Sequence, residues 1–153
     1  MRKSVDVLVI ALSSPILIGI YEKNKLIEII KSDEKSSEYL PAVFKDLLNR
    51  FTIKSLFYAN GPGSFMAIKV AYIFLQSLSI LKNIKLFAAD AFKFNENRPI
   101  KAIGKLCFVK IDSEIKTQKL EVVPEPNFRL PELLDYDEFT TEASPLYIIG
   151  AVG

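Results

Sequence analysis

Enzymatic chemistry near neutral pH usually draws on a histidine, an activated cysteine or a positioned pair of carboxylates, and this chain is poor in the first two. Its 153 residues contain no histidine and a single cysteine. Without an imidazole there can be no Ser-His-Asp triad, Cys-His pair, His-ligated zinc or imidazole base. Cys107 stands in the apolar run Leu106-Cys107-Phe108-Val109, and such surroundings raise a thiol pKa, so a buried small hydrophobe is expected rather than a nucleophile. One cysteine forms no internal disulfide, which suits a reducing cytoplasm, the expected location. The segment closest to a recognisable site is Gly61-Pro62-Gly63-Ser64-Phe65. A glycine turn opening a helix directs free N–H groups and the positive dipole end at an anion. The same residues also make a tight strand-to-helix turn, with glycines supplying positive φ and Ser64 as N-cap. The Lys-Ser/Thr of a P-loop is missing, and no carboxylate stands nearby in sequence to hold a metal. Gly61, Gly63 and Ser64 are therefore read as a structural turn, with no cofactor and no metal expected.

Composition bounds the rest. Half of the residues are hydrophobic and a quarter charged, enough for one packed domain, or one domain with a small second lobe. A net charge of +2 is too small for a nucleic-acid binder that relies on its own field. Residues 1–98 hold 14 Lys+Arg against 9 Asp+Glu, a balance of +5, and residues 99–153 hold 6 against 9, a balance of −3. The acids Glu132, Asp135, Asp137, Glu138 and Glu142 read as a solvated surface loop. Arg2-Lys3 ahead of an apolar run resembles a short signal peptide, but Asp6 interrupts it and a second apolar run follows, so a buried strand is expected. Residues 65–81 are marginal in length for a bilayer and carry Lys69, Gln76, Ser77 and Ser79, so they are expected to form a buried helix, and no membrane association is expected.

Strand signals cover residues 5–12, 15–21 and 25–30 with a turn at Glu22-Lys23-Asn24, an antiparallel meander. A helix is predicted from a cap at Ser36 or Ser37 to about residue 50, with Pro41 in its first turn. A strand at 55–59, a helix over 64–81, a strand at 85–88 and a short helix capped by Asp90 complete the order β-β-β-α-β-α-β-α. That is a mixed sheet with helices on its faces. A boundary near residue 98 divides a lobe of residues 1–98 from a reduced unit of residues 99–153. The second unit is expected to hold a hairpin over 106–111 and 116–123, a Pro-rich acidic stretch and a last apolar run at 146–149. Both long helices have broad apolar coverage. The first spreads Tyr39, Leu40, Val43, Phe44, Leu47, Leu48 and Phe51 over about half its circumference. On the second, Val70, Phe74 and Leu81, with Ala67, Ala71, Leu75 and Leu78, are expected to pack on the sheet. Phe65, Lys69, Tyr72, Gln76 and Ser79 then form the opposite row. A helix apolar all round is buried all round or meets another chain, and the second reading is preferred. The predicted interface comprises Tyr39, Val43, Leu47, Phe65, Lys69, Tyr72 and Gln76.

The run Tyr58-Ala59-Asn60-Gly61-Pro62-Gly63-Ser64-Phe65 resembles the hallmark of the TsaB (YeaZ) family. Ser36-Ser37-Glu38-Tyr39-Leu40-Pro41 stands where that family has His-Ser-Glu followed by Leu-Pro, and residues 7–13 resemble its first strand. The resemblance covers about residues 4–94. It implies one lobe of the ASKHA (actin-like, RNase H-like) fold with a truncated second lobe. It also implies a non-catalytic partner subunit of threonylcarbamoyladenosine (t6A) synthesis on tRNA, pairing with the transferase TsaD through an intersubunit bundle of the first two helices. A TsaE-like ATPase would join the assembly, tRNA would be met only through the complex, and the chain would pair with itself when TsaD is absent. Several residues depart from the family pattern. Ala11-Leu12-Ser13 replaces Asp-Thr-Ser, Met66-Ala67-Ile68-Lys69 replaces Thr-Gly-Leu-Arg, and Ser36 replaces the histidine. Ala11 argues against ATP hydrolysis, since an ASKHA enzyme uses that Asp near metal-bound phosphates. The rival readings are an ASKHA nucleotide-binding enzyme or M22 peptidase relative, and a self-associating structural homodimer.

Overall fold

The computed structural model describes residues 2–147. The chain opens with an antiparallel meander, β1 (Lys3–Ile10), β2 (Ile16–Glu22) and β3 (Lys25–Ser32). It continues with α1 (Ser36–Arg50), β4 (Phe51–Ala59), α2 (Phe65–Lys82) and β5 (Lys85–Ala89). A single 3₁₀ turn, Ala91–Phe94, takes the place of the third α-helix expected there, with the Asp90 carboxylate accepting from the Phe92 N–H at 3.0 Å. The first five strands form one sheet in the order β3-β2-β1-β4-β5. The β1–β4 and β4–β5 pairs are parallel and the meander is antiparallel, so the sheet is mixed as expected.

Strand alternation splits the core into two faces. Val5, Val7 and Val9 of β1 and Leu56 and Tyr58 of β4 point toward the helices, where they meet Leu40, Phe44, Leu47, Ala71, Leu75 and Leu78. Leu8, Ile10 and Phe57 point the other way, into a cluster with Phe92, Phe94, Phe108 and Leu134. The helix α1 buries Leu40, Phe44 and Leu47, an i, i+4, i+7 stripe. Its start differs from the expected cap: Lys35 occupies the N-cap position without a side-chain bond, and Ser36 is the first helical residue and buried. Pro41 therefore lies in the second turn, where its missing N–H removes the ladder bond to Ser37.

The segment expected as a second lobe divides in two. Residues 100–119 make a small antiparallel sheet of β6 (Ile100–Ile103), β7 (Leu106–Ile111) and β8 (Glu114–Lys119). The hairpin was predicted; β6 was not. Residues 121–147 instead return to the large sheet as a strap. The Leu26 N–H donates to Glu132 O, the Leu134 N–H to Asn24 O, and Thr140 pairs with Ala88 on β5. Three tyrosine hydroxyls reach out to hold it: Tyr21 donates to Pro131 O at 2.6 Å, Tyr136 to Asp6 Oδ1 at 2.6 Å, and Tyr58 to Ala143 O. The strap blunts the β5 edge, which would otherwise offer unpaired backbone groups. Of the predicted last run, Leu146 donates its N–H to Asn60 O at 2.7 Å, and Ile148 and Ile149 lie outside the described residues.

Asp6 is buried on β1, and burial raises its carboxyl pKa above the ordinary 3.8, partly offset by the Tyr136 hydroxyl and Lys54. A carboxyl raised in the folded state contributes stability that is full below the unfolded pKa and lost as pH rises through the folded one. Asp6→Asn, which keeps an acceptor for Tyr136, should therefore be at least as stable as wild type at pH 7. Its advantage should shrink as pH falls toward 3.8, as read from urea midpoints at the two pH values. A variant equally destabilised at both would contradict this.

Candidate functional site

The turn between β4 and α2 is built by close approach. Gly61 has φ +116°, and a Cβ there would lie 2.9 Å from the Leu146 carbonyl oxygen of the strap. Gly63 needs no positive φ; its role is contact, since a Cβ would sit 3.0 Å from both Leu12 Cβ and Leu12 O. The Ser64 N–H donates to Leu12 O at 2.9 Å, and the Ser64 hydroxyl accepts from the Ala67 N–H at 3.4 Å as N-cap. At the far end, Asn83 takes the left-handed conformation and donates its N–H to Ser79 O, a left-handed C-cap. Inside the turn, Asn60 is buried, donates its side-chain amide to Ser144 O at 3.0 Å, and leaves its Oδ1 without a partner.

These anchors fix the rotation of α2. Ile68, Ala71, Leu75 and Leu78 face the core. Phe74 leans toward α1, its ring 5.4 Å from that of Phe44, and on the opposite flank Tyr72 stacks on Tyr58 at 6.1 Å. What remains open is a stripe of Met66, Ile73 and Ile80 at i, i+7 and i+14, exposed by 65%, 54% and 71%. Lys69 and Ser77 lie beside it, both exposed. This face is turned by roughly 70° from the predicted Phe65-Lys69-Tyr72-Gln76 row, at about 100° per residue.

The predicted interface residues thus separate. Lys69 is exposed beside the stripe and Gln76 half-buried at its margin. Phe65 is half-exposed and stacks on Tyr147 of the strap at 4.2 Å. Tyr72 is half-buried against Tyr58, and Tyr39 and Val43 are half-buried on α1, packed against the helix-side core. Leu47 must be corrected: it is fully buried between α1 and the sheet, because the i, i+4, i+7 stripe from Leu40 selects it for the core. Leu81, expected on the sheet, is 80% exposed near the end of α2. Met66, Ile73 and Ile80 escaped the sequence reading. The signal that would have found them is the heptad spacing of three large apolar residues.

By length and composition alone α2 could cross a membrane, yet it is embedded by one face in this fold and open on the other. Ala11, in place of the acid of the family pattern, closes the end of β1 as a buried side chain. Among the described residues no three of His, Cys, Asp and Glu gather as metal ligands would. Cys107 is buried on β7, and burial pushes its thiol pKa up.

No protein-family model matches the sequence, and no curated protein matches it. Solved structures do match in shape. YeaZ from Pseudomonas aeruginosa superposes with a TM-score of 0.57 over 84% of this chain and 71% of that one, at 14% identity. The chain has the YeaZ fold. A second structure, an uncharacterized protein with similarity to peptidase YeaZ from Pseudomonas aeruginosa, matches with a TM-score of 0.56. It covers 80% of this chain and 70% of the other, again at 14% identity.

The turn is testable by itself. Gly61→Ala should cost about 1–3 kcal/mol of unfolding free energy, from a Cβ in a backbone region that side chains rarely adopt and from the Leu146 contact. Urea unfolding checks it, and a variant as stable as wild type would show that the turn relaxes freely.

Proposed function

We propose that this chain is a non-catalytic partner subunit of the TsaB (YeaZ) type, an ASKHA-like lobe with a reduced second unit. Its work is to dock a TsaD-like transferase of tRNA threonylcarbamoyladenosine synthesis through a helix bundle that includes α2. One observation carries the reading: the open Met66-Ile73-Ile80 stripe on a helix whose opposite face is packed into the core. Large apolar side chains contribute about 1.5–3 kcal/mol each when fully buried, so three of them spaced two turns apart on one face of a helix make a strong docking element. Their spacing of seven presents one seam to a partner helix crossing at a shallow angle.

The YeaZ fold and the Gly61-Pro62-Gly63-Ser64-Phe65 turn support the family assignment. Ala11 and the lack of any histidine in the sequence support a role without catalysis. In this reading TsaE and tRNA are met through the assembly, in the cytoplasm. The same stripe gives two copies a self-complementary surface when the partner is absent.

Co-expression with a TsaD-like subunit, followed by sedimentation of the purified complex, tests the proposal. Ile73→Lys should weaken association by roughly 30-fold or more, as loss of about 2 kcal/mol at a central contact implies. Because Ile73 projects to solvent, the isolated variant should keep its thermal midpoint. Tyr72→Glu differs, since Tyr72 packs on Tyr58 and its loss should lower the midpoint itself. An Ile73→Lys chain that binds the transferase as wild type does would overturn the assignment.

A further inference from the structure

A cleft of about 540 Å³ opens between the β4–α2 turn and the small sheet. Ser13, Ser64 and Phe65 line it on one side, residues 98–103 and Phe108 on another, and the start of the strap, residues 124–128, completes it. We propose that it binds a small aromatic carboxylate that also carries an N–H or O–H donor, of the indole or phenol type. The proposal stands apart from the partner reading, since none of Met66, Ile73 and Ile80 lines the cleft.

Each part of that ligand answers to a feature of the walls. A cleft of this volume, largely apolar with a few polar groups, suits a small molecule, and such sites favour junctions between structural units. Phe65, Phe108 and Phe128 line it together with Ile103, and Phe65 and Ile103 are 50% and 65% exposed. Aromatic rings stack on one another or meet edge to face, so a flat aromatic body fits these walls. The sign comes from Arg98 and Lys101, set against one acid, Glu125. Among the described residues neither cation forms an ion pair. The N-terminal end of α2 adds the same sign. An anion is preferred, and the arginine fork takes a carboxylate in two parallel bonds.

Asn95 sets the third requirement. It is 5% exposed, lines the cleft, and its Oδ1 has no hydrogen-bond partner. Glu96 and Asn97 both take positive φ and turn the chain back, and the Asn95 side-chain amide donates to Arg98 O at 2.9 Å. A carbonyl can only accept, so this bond fixes which end of the amide is nitrogen and leaves the oxygen as the open end. An unpaired buried acceptor carries a desolvation cost that a ligand N–H or O–H would remove. Asn95 also borders a second cleft of about 200 Å³, below the size of ordinary ligand sites.

Calorimetric titration of the full chain with indole-3-acetate and with 4-hydroxyphenylacetate tests the proposal. At least one should bind saturably, with a dissociation constant below about 1 mM. Blocking the donor, as in 1-methylindole-3-acetate or 4-methoxyphenylacetate, should weaken binding by roughly fivefold, as an unmade bond to a buried acceptor implies. The neutral primary amides of both acids should bind at least roughly tenfold more weakly, as loss of a charge-assisted contact implies. Arg98→Gln combined with Lys101→Gln, both at exposed positions, should weaken binding comparably and leave the thermal midpoint unchanged. The proposal is overturned if neither acid binds in that range, if the donor-blocked or neutral analogues bind as tightly, or if the doubly substituted chain binds as wild type does.

Discussion

The contact between the Gly63-Ser64 backbone and Leu12 governs the arrangement of this protein. Ser64 donates its N–H to the Leu12 carbonyl, and Gly63 lies too close to Leu12 for any side chain. That contact ties the start of α2 to the end of β1, in the middle of the sheet. Once the N-terminus is pinned there, and Phe74 and Tyr72 find Phe44 and Tyr58 on either flank, the helix cannot rotate. Its phase decides everything that follows at the surface. Ile68, Ala71, Leu75 and Leu78 go inward, and Met66, Ile73 and Ile80 are left outward.

The strap is the counterpart on the other side of the turn. It crosses the sheet face opposite the helices, rounds the β5 edge and ends with Leu146 on Asn60 and Tyr147 on Phe65. Its attachments are backbone pairs, tyrosine hydroxyls and an apolar face of Phe128, Leu130, Leu134, Tyr136 and Phe139 packed on the cluster around Phe57. The two helices thus cover one face of the five-stranded sheet, and the strap with the small sheet covers the other. Burial of polar groups accompanies the arrangement: Asp6 is answered by Tyr136, and Asn60 is answered on its amide side by Ser144.

Much of this could be read in the sequence. The meander, both long helices and the parallel strands follow from alternation, length and turn residues, and the Gly-Pro-Gly-Ser turn stands where expected. The phase of α2 could not be read, for a physical reason. Where apolar residues occupy nearly every angle of a helix, polarity carries little information about which side is inward, and tertiary contacts decide. Leu81 and Tyr72 were misplaced on those grounds. Leu47 was a different error: its i, i+4, i+7 relation to Leu40 already marked it as core. The strap was invisible because its core residues, Phe128, Leu130, Leu134, Tyr136 and Phe139, fall at irregular spacings among prolines and acids and leave no periodic pattern. β6 was missed because four residues on a sheet edge give too short a run.

The open face of α2 is centred on Ile73 and not on the Phe65-Tyr72 flank. Isotope labelling of isoleucine δ1 methyl groups, with a TsaD-like subunit added, addresses it directly. The Ile73 and Ile80 methyls should shift or broaden on complex formation, while Ile68, in the core beneath the same helix, and Ile27 and Ile29, on β3, stay in place. Perturbation confined to Ile27 and Ile29, with Ile73 unmoved, would contradict the account.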